Sequence, residues 1–152
     1  KKRGKVDLGL VGEIESLDIA PILNRVKDYT ICVVNPMGRG KDGTLYNINA
    51  DDVASAIAAS TGAEKLVVLT NVRGVMRSHD DPNSLLSTLN SIEAKKLINE
   101  KVIQEGMIPK INSCISALEA GVKKTHIIDA RIPHALLLEI FTNQGIGTEI
   151  AK

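Results

Sequence analysis

The sequence contains no tryptophan, one phenylalanine and two tyrosines. So few rings exclude the base-stacking surfaces on which single-stranded nucleic acids are read. They also leave Val, Ile, Leu and Ala to build the core. Net charge is nearly absent: 19 Lys and Arg against 18 Asp and Glu leave +1 at pH 7. No field of one sign favours nucleic acid or an anionic membrane. No apolar run approaches the roughly 20 residues of a membrane span, and no signal-peptide pattern opens the chain. Cysteine is scarce too. Cys32 and Cys114 lie in apolar stretches without zinc-ligand spacing, which points to buried free thiols in a reducing cytosol rather than a disulfide. Neither a Walker phosphate loop nor a serine-hydrolase elbow occurs. His79, His126 and His134 pair with no Cys or carboxylate at metal spacing, so structural or surface roles are expected of them.

What is present is the profile of a soluble globular domain. The 152 residues are 43% apolar and 24% charged, enough for one domain with its own core. Residues 7–18 alternate loosely around Gly9 and Gly12 and read as a hairpin or irregular strand pair. Residues 19–27 place Ile19, Ile22, Leu23 and Val26 on one helical face, with Pro21 tolerated in the first turn. "TICVV", residues 30–34, reads as a buried parallel strand. A helix over 50–61 ends at Gly62, and "KLVVLT" follows as a second buried strand. Residues 77–84 are a polar loop and "LLSTL" a short strand. Further helices are expected over 91–100 with Ser91 as N-cap, over 106–120 with Gly121 as stop, and over 133–141 with Pro133 near the first turn. "THIIDA" is a third buried strand, and "GIGTEI" closes as loop and strand. Strands alternating with helices give the α/β class with a largely parallel sheet. Ligands in such sheets bind beyond the carboxyl ends of the strands, where residues 35–49 and 70–74 fall.

Three stretches there carry candidate chemistry. In "NPMGRGKDGTLYNINADD", Gly38, Gly40 and Gly43 admit close backbone approach to a ligand. The plainer reading is a turn before a helix capped by Asn49, with Asp51 in its first turn. The spacing of Asn47, Asn49 and Asp51 directs polar groups to one side of the strand ends, where an amide grips a carboxylate and an aspartate holds a lysine or metal ion. In "GMIPKINS", Lys110 lies one turn inside a helix, a place that suits phosphate, although a lysine is more often simply at the surface. "TNVRG" either lines a nucleotide or is an ordinary turn.

The stretches "YNINADDVASAIAASTGAEKLVVLTNVRGV", "GMIPKINSCISALEAGVKKTHIID" and "PHALLLEIFTNQGIGTEI" together resemble the amino-acid kinase family, in the branch that acts on N-acetyl-L-glutamate. The likeness runs in order from "DLGLVGEI" to the end. It implies a three-layer α-β-α fold and phosphorylation of the substrate's γ-carboxylate by ATP with Mg2+, in arginine biosynthesis in the cytoplasm. It implies that Asn47 contacts the acetylglutamate, that Asp51 orients catalytic lysines and that Lys110 is one of them. It implies ATP contacts from Asn71, Val72, Arg73, Gly74, Val75 and Met76, and from Val102, Ile103 and Gln104. Asn71 stands where the family usually has aspartate, and Ala130 where glycine is common. The closing segment resembles the arginine-inhibited members, which puts Glu139 and Gly145 near an inhibitor site.

On the same resemblance, residues 1–152 match the family's ATP-binding half. The half that carries the first catalytic lysine, the phosphate-touching glycine loops and the substrate-gripping arginine is not in this sequence. A separate N-terminal half is therefore an expected partner, an exposed sheet edge is expected where it docks, and a homo-oligomer is expected once the fold is complete. Two other functions stay open on the residues: a non-catalytic nucleotide- or arginine-binding module, and a family kinase acting on carbamate, aspartate or a nucleoside monophosphate.

Overall fold

The computed structural model describes residues 2–3, 6–78, 81, 83–142 and 145–152. In chain order the elements are β1 (Lys2–Arg3), β2 (Val6–Asp7), α1 (Ala20–Lys27), β3 (Met37–Arg39), β4 (Leu45–Asn47), α2 (Ala50–Thr61), β5 (Lys65–Thr70), β6 (Thr88–Asn90), α3 (Ser91–Asn99), α4 (Ile108–Glu119), β7 (Lys124–Asp129), α5 (Ala135–Phe141) and β8 (Thr148–Ala151). His79 lies outside the described residues, as does part of the polar loop around it.

A four-stranded sheet in the order β5-β7-β8-β6 organises the molecule. β5 pairs with β7 and β6 with β8 in parallel, while β7 and β8 run antiparallel. The α/β class and largely parallel sheet read from the sequence are what the chain builds. Strand alternation decides the faces. Leu66 and Val68 of β5, Ile127 of β7 and Ile150 of β8 turn toward α2, α3 and α4, and with Ile111, Cys114, Ile115 and Leu118 of α4 they form the core. The alternate residue His126 turns the other way and meets Glu139 of α5. Helices therefore cover both faces, with α4 fully engaged because six of its twelve residues are buried. Burying side chains of this size contributes about 1.5–3 kcal/mol each.

The helix ends follow local chemistry. The Asn49 side chain accepts the amides of Asp51 and Asp52 at 2.8 and 3.2 Å, and Gly62 closes α2 in the left-handed region at φ 64°. For α3 the cap is Asn90 rather than Ser91. Asn90 and Glu93 bond each other's backbone reciprocally, a box that works only at a spacing of three. Pro133 stands ahead of α5, and His134 is the residue before its first turn.

The segment before α2 departs from expectation. The strand pair near the start lies at β1 and β2, and residues 8–19 hold only an isolated bridge from Val11 to Asn47. Residues 30–34 form no strand: Ile31 is 90% exposed and Val33 95%. A strand needs a hydrogen-bonded neighbour, and none of the described residues supplies one. The glycine-rich stretch is a β-hairpin, β3 with β4. Its glycines have local reasons. A Cβ on Gly38 would sit 2.7 Å from Ile48 and one on Gly40 2.9 Å from the Tyr46 ring, and Gly43 takes φ +87° in the turn.

Candidate active site

The first turn of α2 meets the first two turns of α4. Lys110 Nζ donates to both Asp51 oxygens, at 3.2 and 3.0 Å. Both side chains keep a minor share of their surface in solvent, 25% and 19%, so the pair is screened less than a surface salt bridge yet stays reachable. Asn49 caps the same turn, which fixes the Asp51 backbone. The next residue repeats the contact: Ser113 Oγ donates to Asp52 Oδ1 at 2.8 Å. Two consecutive carboxylates thus grip two residues one turn apart on α4. Cys114 is fully buried beside them, and burial pushes its thiol up to about 11, against a weaker opposing bond with Thr125. It stays protonated at neutral pH and is no nucleophile.

Asn47 ends β4 at the same mouth. Its backbone is held by Leu10 and Gly12 at 2.8 and 2.9 Å, and the residue is exposed. The alternation Asn47, Asn49, Asp51 therefore resolves into an exposed amide, a helix cap and a lysine-holding carboxylate.

A narrow cleft of about 40 Å³ opens beside the lysine. Val72, Gly74, Val75, Met76, Val102, Ile103 and Gln104 line it together with Met107. Two segments almost thirty residues apart in sequence share one wall set. Asn71 and Arg73 are exposed and not among the lining residues. Met107, the N-cap of α4, stands three residues before Lys110, which brings the end of the cleft near the ion pair. Any other residue at Gly74 would be strained: it takes φ +147°, and a Cβ there would meet Thr148 Oγ1 at 2.6 Å. Val75 N–H donates to that hydroxyl at 2.8 Å, and the hydroxyl donates to Leu86 O at 2.7 Å, which anchors the turn to β8.

Three groupings went unread in the sequence. Asp129, at the end of β7, accepts two guanidinium bonds from Arg131 at 2.9 and 2.7 Å and its backbone N–H at 2.9 Å. The Arg131 guanidinium holds the Asp129 carboxyl down to about 2. The spacing D-x-R was the available signal. His126 Nδ1 lies 2.5 Å from Glu139 Oε1, both buried, while Nε2 has no hydrogen-bond partner among the described residues. The pairing with Glu139 gives His126 a buried structural role, within the structural or surface roles expected of the histidines. Burial holds its pKa below the ordinary value, opposed by Glu139. The third is Asp52 with Ser113.

The sequence pattern of the amino acid kinase family matches residues 2–129. The chain belongs to the amino acid kinase family. It is 50% identical over 147 residues to the acetylglutamate kinase of Symbiobacterium thermophilum, covering 97% of this chain and 50% of that protein. With the acetylglutamate kinase of Petrotoga mobilis the identity is 51% over 146 residues, 96% of this chain and 49% of that one. The chain thus spans about half the length of the curated relatives it matches. Among solved structures, N-acetylglutamate synthase from Neisseria gonorrhoeae, complexed with coenzyme A and L-arginine, superposes with a TM-score of 0.86 at 33% identity. That match covers 97% of this chain and 34% of the synthase. The amino acid kinase fold accounts for the sheet with helices on both faces.

Proposed function

We propose that the chain is the nucleotide-binding half of an acetylglutamate kinase, transferring the γ-phosphoryl group of ATP to the γ-carboxylate of N-acetyl-L-glutamate. The observation that carries this is the Lys110–Asp51 pair, with Lys110 three residues from Met107 at the end of the cleft lined by Val72, residues 74–76 and residues 102–104. Relatives of about 50% identity bear that activity's name.

In this reading the segments lining the cleft touch one part of the nucleotide, which is far larger than the cleft and extends beyond it, and Gly74 lets backbone approach it without a side chain. Lys110 reaches the transferring group. Its charge neutralises the equatorial oxygens as the bond from phosphorus to the β-phosphate oxygen breaks and the bond to the carboxylate oxygen forms. Asp51 keeps the ammonium in place. The products are an acyl phosphate and ADP. The acceptor carboxylate is ionised at pH 7 and is already a nucleophile, so no general base is required. Asn47 donates its amide to the substrate. Mg2+ entering with the nucleotide would supply further neutralisation of phosphate charge.

The other half of the relatives' length supplies the remaining catalytic groups, and the complete enzyme is a cytoplasmic homo-oligomer. No helix among the described residues is long and apolar enough to cross a membrane. An arginine site lies by Glu139 and Gly145. Ile146 N–H reaches Glu139 Oε2 at 3.5 Å, tying that loop to the buried His126–Glu139 pair, and the related synthase was solved with L-arginine.

The test joins this chain to the half of the Petrotoga mobilis enzyme outside the match and measures ADP release. Turnover with acetylglutamate, abolished by Lys110→Ala, is expected. Turnover with carbamate alone would replace the substrate. Nucleotide or arginine binding without any turnover would favour the binding-module reading.

A further inference from the structure

Helix α4 sends two polar side chains to the start of α2. Lys110 meets Asp51, and Ser113 meets Asp52. The first contact belongs to the proposed chemistry. The second has no part in it so far.

Ser113 is an unexpected place for a hydroxyl. The residue is only 4% exposed, and Ile111, Cys114 and Ala117 around it on the inner side of α4 are apolar and fully buried. A hydroxyl inside a helix ordinarily turns back to a carbonyl of its own preceding turn. Thr61 of α2 does so, donating to Ile57 O at 2.8 Å. Ser113 has one proton to give, and it gives it across to the other helix, to Asp52 Oδ1 at 2.8 Å.

The neighbouring charges give that bond a purpose. Asn49 accepts the amides of both Asp51 and Asp52, so two carboxylates leave one turn of α2. Lys110 and Ser113 are three residues apart on one face of α4, about 4.5 Å along its axis. A flexible four-carbon stem carries the Lys110 ammonium over that distance. The two carboxylates are the same chemical group, so only position decides which one the ammonium meets. Lys110 Nζ bonds both oxygens of Asp51, at 3.2 and 3.0 Å, while the Asp52 carboxylate is held over Ser113. Asp52 still favours the positive end of the α2 dipole, with its charge kept one turn from the ammonium.

We infer that Ser113 and Asp52 are a positioning pair: Ser113 parks the Asp52 carboxylate away from Lys110, which leaves Asp51 as the single carboxylate that the ammonium meets. Neither residue touches substrate; both act through Lys110. The consequence for turnover rests on reading Lys110 as the lysine that reaches the transferring phosphoryl group. An ammonium shared between two carboxylates stands in the productive place for only part of the time, and misplacement of about 1 Å costs on the order of 100-fold in rate.

The test compares the unaltered chain, Ser113→Ala, and Ser113→Ala combined with Asp52→Ala. In the 152-residue chain, NMR couplings across the hydrogen bond from the Lys110 ammonium identify its carboxylate partner. Coupling to Asp51 alone is expected in the unaltered chain and the double variant, and coupling to both aspartates in Ser113→Ala. The same three proteins, joined to the unmatched half of the Petrotoga mobilis enzyme, are then assayed at equal folded fraction. Ser113→Ala should lower kcat on the order of 10-fold while KM for ATP stays within about twofold, and the double variant should regain most of the loss. A bond that merely clamps α2 to α4 is broken in both variants, so equal deficits in the two overturn the inference. Coupling of Lys110 to Asp51 alone in Ser113→Ala also overturns it and leaves the kinase reading intact. The expected couplings in joined proteins that never phosphorylate acetylglutamate do the reverse: the positioning of Lys110 stands and the kinase reading falls.

Discussion

Among residues 7–47 no side chain is buried, whereas residues 48–151 supply the whole core, from Ile48 to Ile150. Hydropathy does not separate the two regions. The first contains Leu8, Leu10, Leu23, Val26, Ile31, Val33 and Val34, all exposed. What separates them is whether a partner lies within the chain. The hydrophobic effect acts only on surface that something else can cover, so an apolar run becomes core in one region and a bare surface in the other. The candidate site sits at the boundary. Asn47 belongs to the uncovered side, while Asp51, Lys110 and the cleft belong to the packed one.

The sharpest contrast is in stability. Ile111→Ala or Leu118→Ala, each in the α4 core, should destabilise the chain by about 2–5 kcal/mol. Ile31→Ala and Val33→Ala should change it by no more than about 0.5 kcal/mol. Urea unfolding of the four variants measures both. A large loss at Val33 would mean that residues 30–34 already pack, and the division between the regions would fail.

Gly74→Ala comes next, at about 1–3 kcal/mol, because an L-residue must enter a strained φ and meet Thr148. It should also weaken nucleotide binding, which Gly62→Ala at the α2 cap should leave alone. Thermal unfolding together with nucleotide titration separates the two effects. Smaller still is the cap. Asn49→Ala should remove about 1 kcal/mol, and it should lower turnover of the joined enzyme beyond that loss because Asp51 is set by the same turn. Equal activity at equal folded fraction would show that the cap only holds a helix.

The smallest effect is a pH dependence confined to the packed region. Buried His126 has a pKa held below 6.5 in the fold, so the unfolded chain binds the proton more readily. Its contribution is therefore intact above the unfolded value and is lost as pH falls from about 6.5 through the lower folded value. Stability should drop as pH falls below about 6.5, and His126→Gln should flatten that slope. An unchanged slope in the variant would assign it to other groups. Asp129 behaves likewise lower down, its contribution falling away from about 3.8 toward about 2.

How much of this was legible follows from the same contrast. β5 and α2 occupy the ranges their patterns predict, because the residues that satisfy those patterns lie in the chain. "TICVV" carries an equally clear pattern and forms no strand, since a pattern records what a segment needs rather than what is present. Both Asn90 and Ser91 suit a cap, and only Glu93 at a spacing of three decides between them. The hairpin of residues 37–47 was hidden by glycines that resemble a ligand loop, of which Gly38 and Gly40 pack against Ile48 and Tyr46 and Gly43 makes the turn. Of the site, Asp51, Lys110 and the turn at residues 70–74 were candidates on the residues alone, while residues 102–104 and the role of Asp51 in orienting Lys110 came through family resemblance, because residues so far apart in sequence carry no local signal of meeting. Asp52–Ser113 and His126–Glu139 had neither a local pattern nor a resemblance to mark them, and only the packing of α2 on α4 and of α5 on β7 joins them.

The most direct test of the site is a titration of Mg-ATP into the 152-residue chain, followed by backbone amide NMR, with Lys110→Ala alongside. Saturable shifts should appear at Gly74, Val75, Ile103 and Gln104 and at the first turn of α4, with micromolar to millimolar affinity, roughly −8 to −4 kcal/mol, and weaker binding in the variant. Saturation that instead moves Val53 and Ile57 beside the apolar cavity, or leaves the cleft amides unmoved, would contradict the assignment of the nucleotide to this cleft.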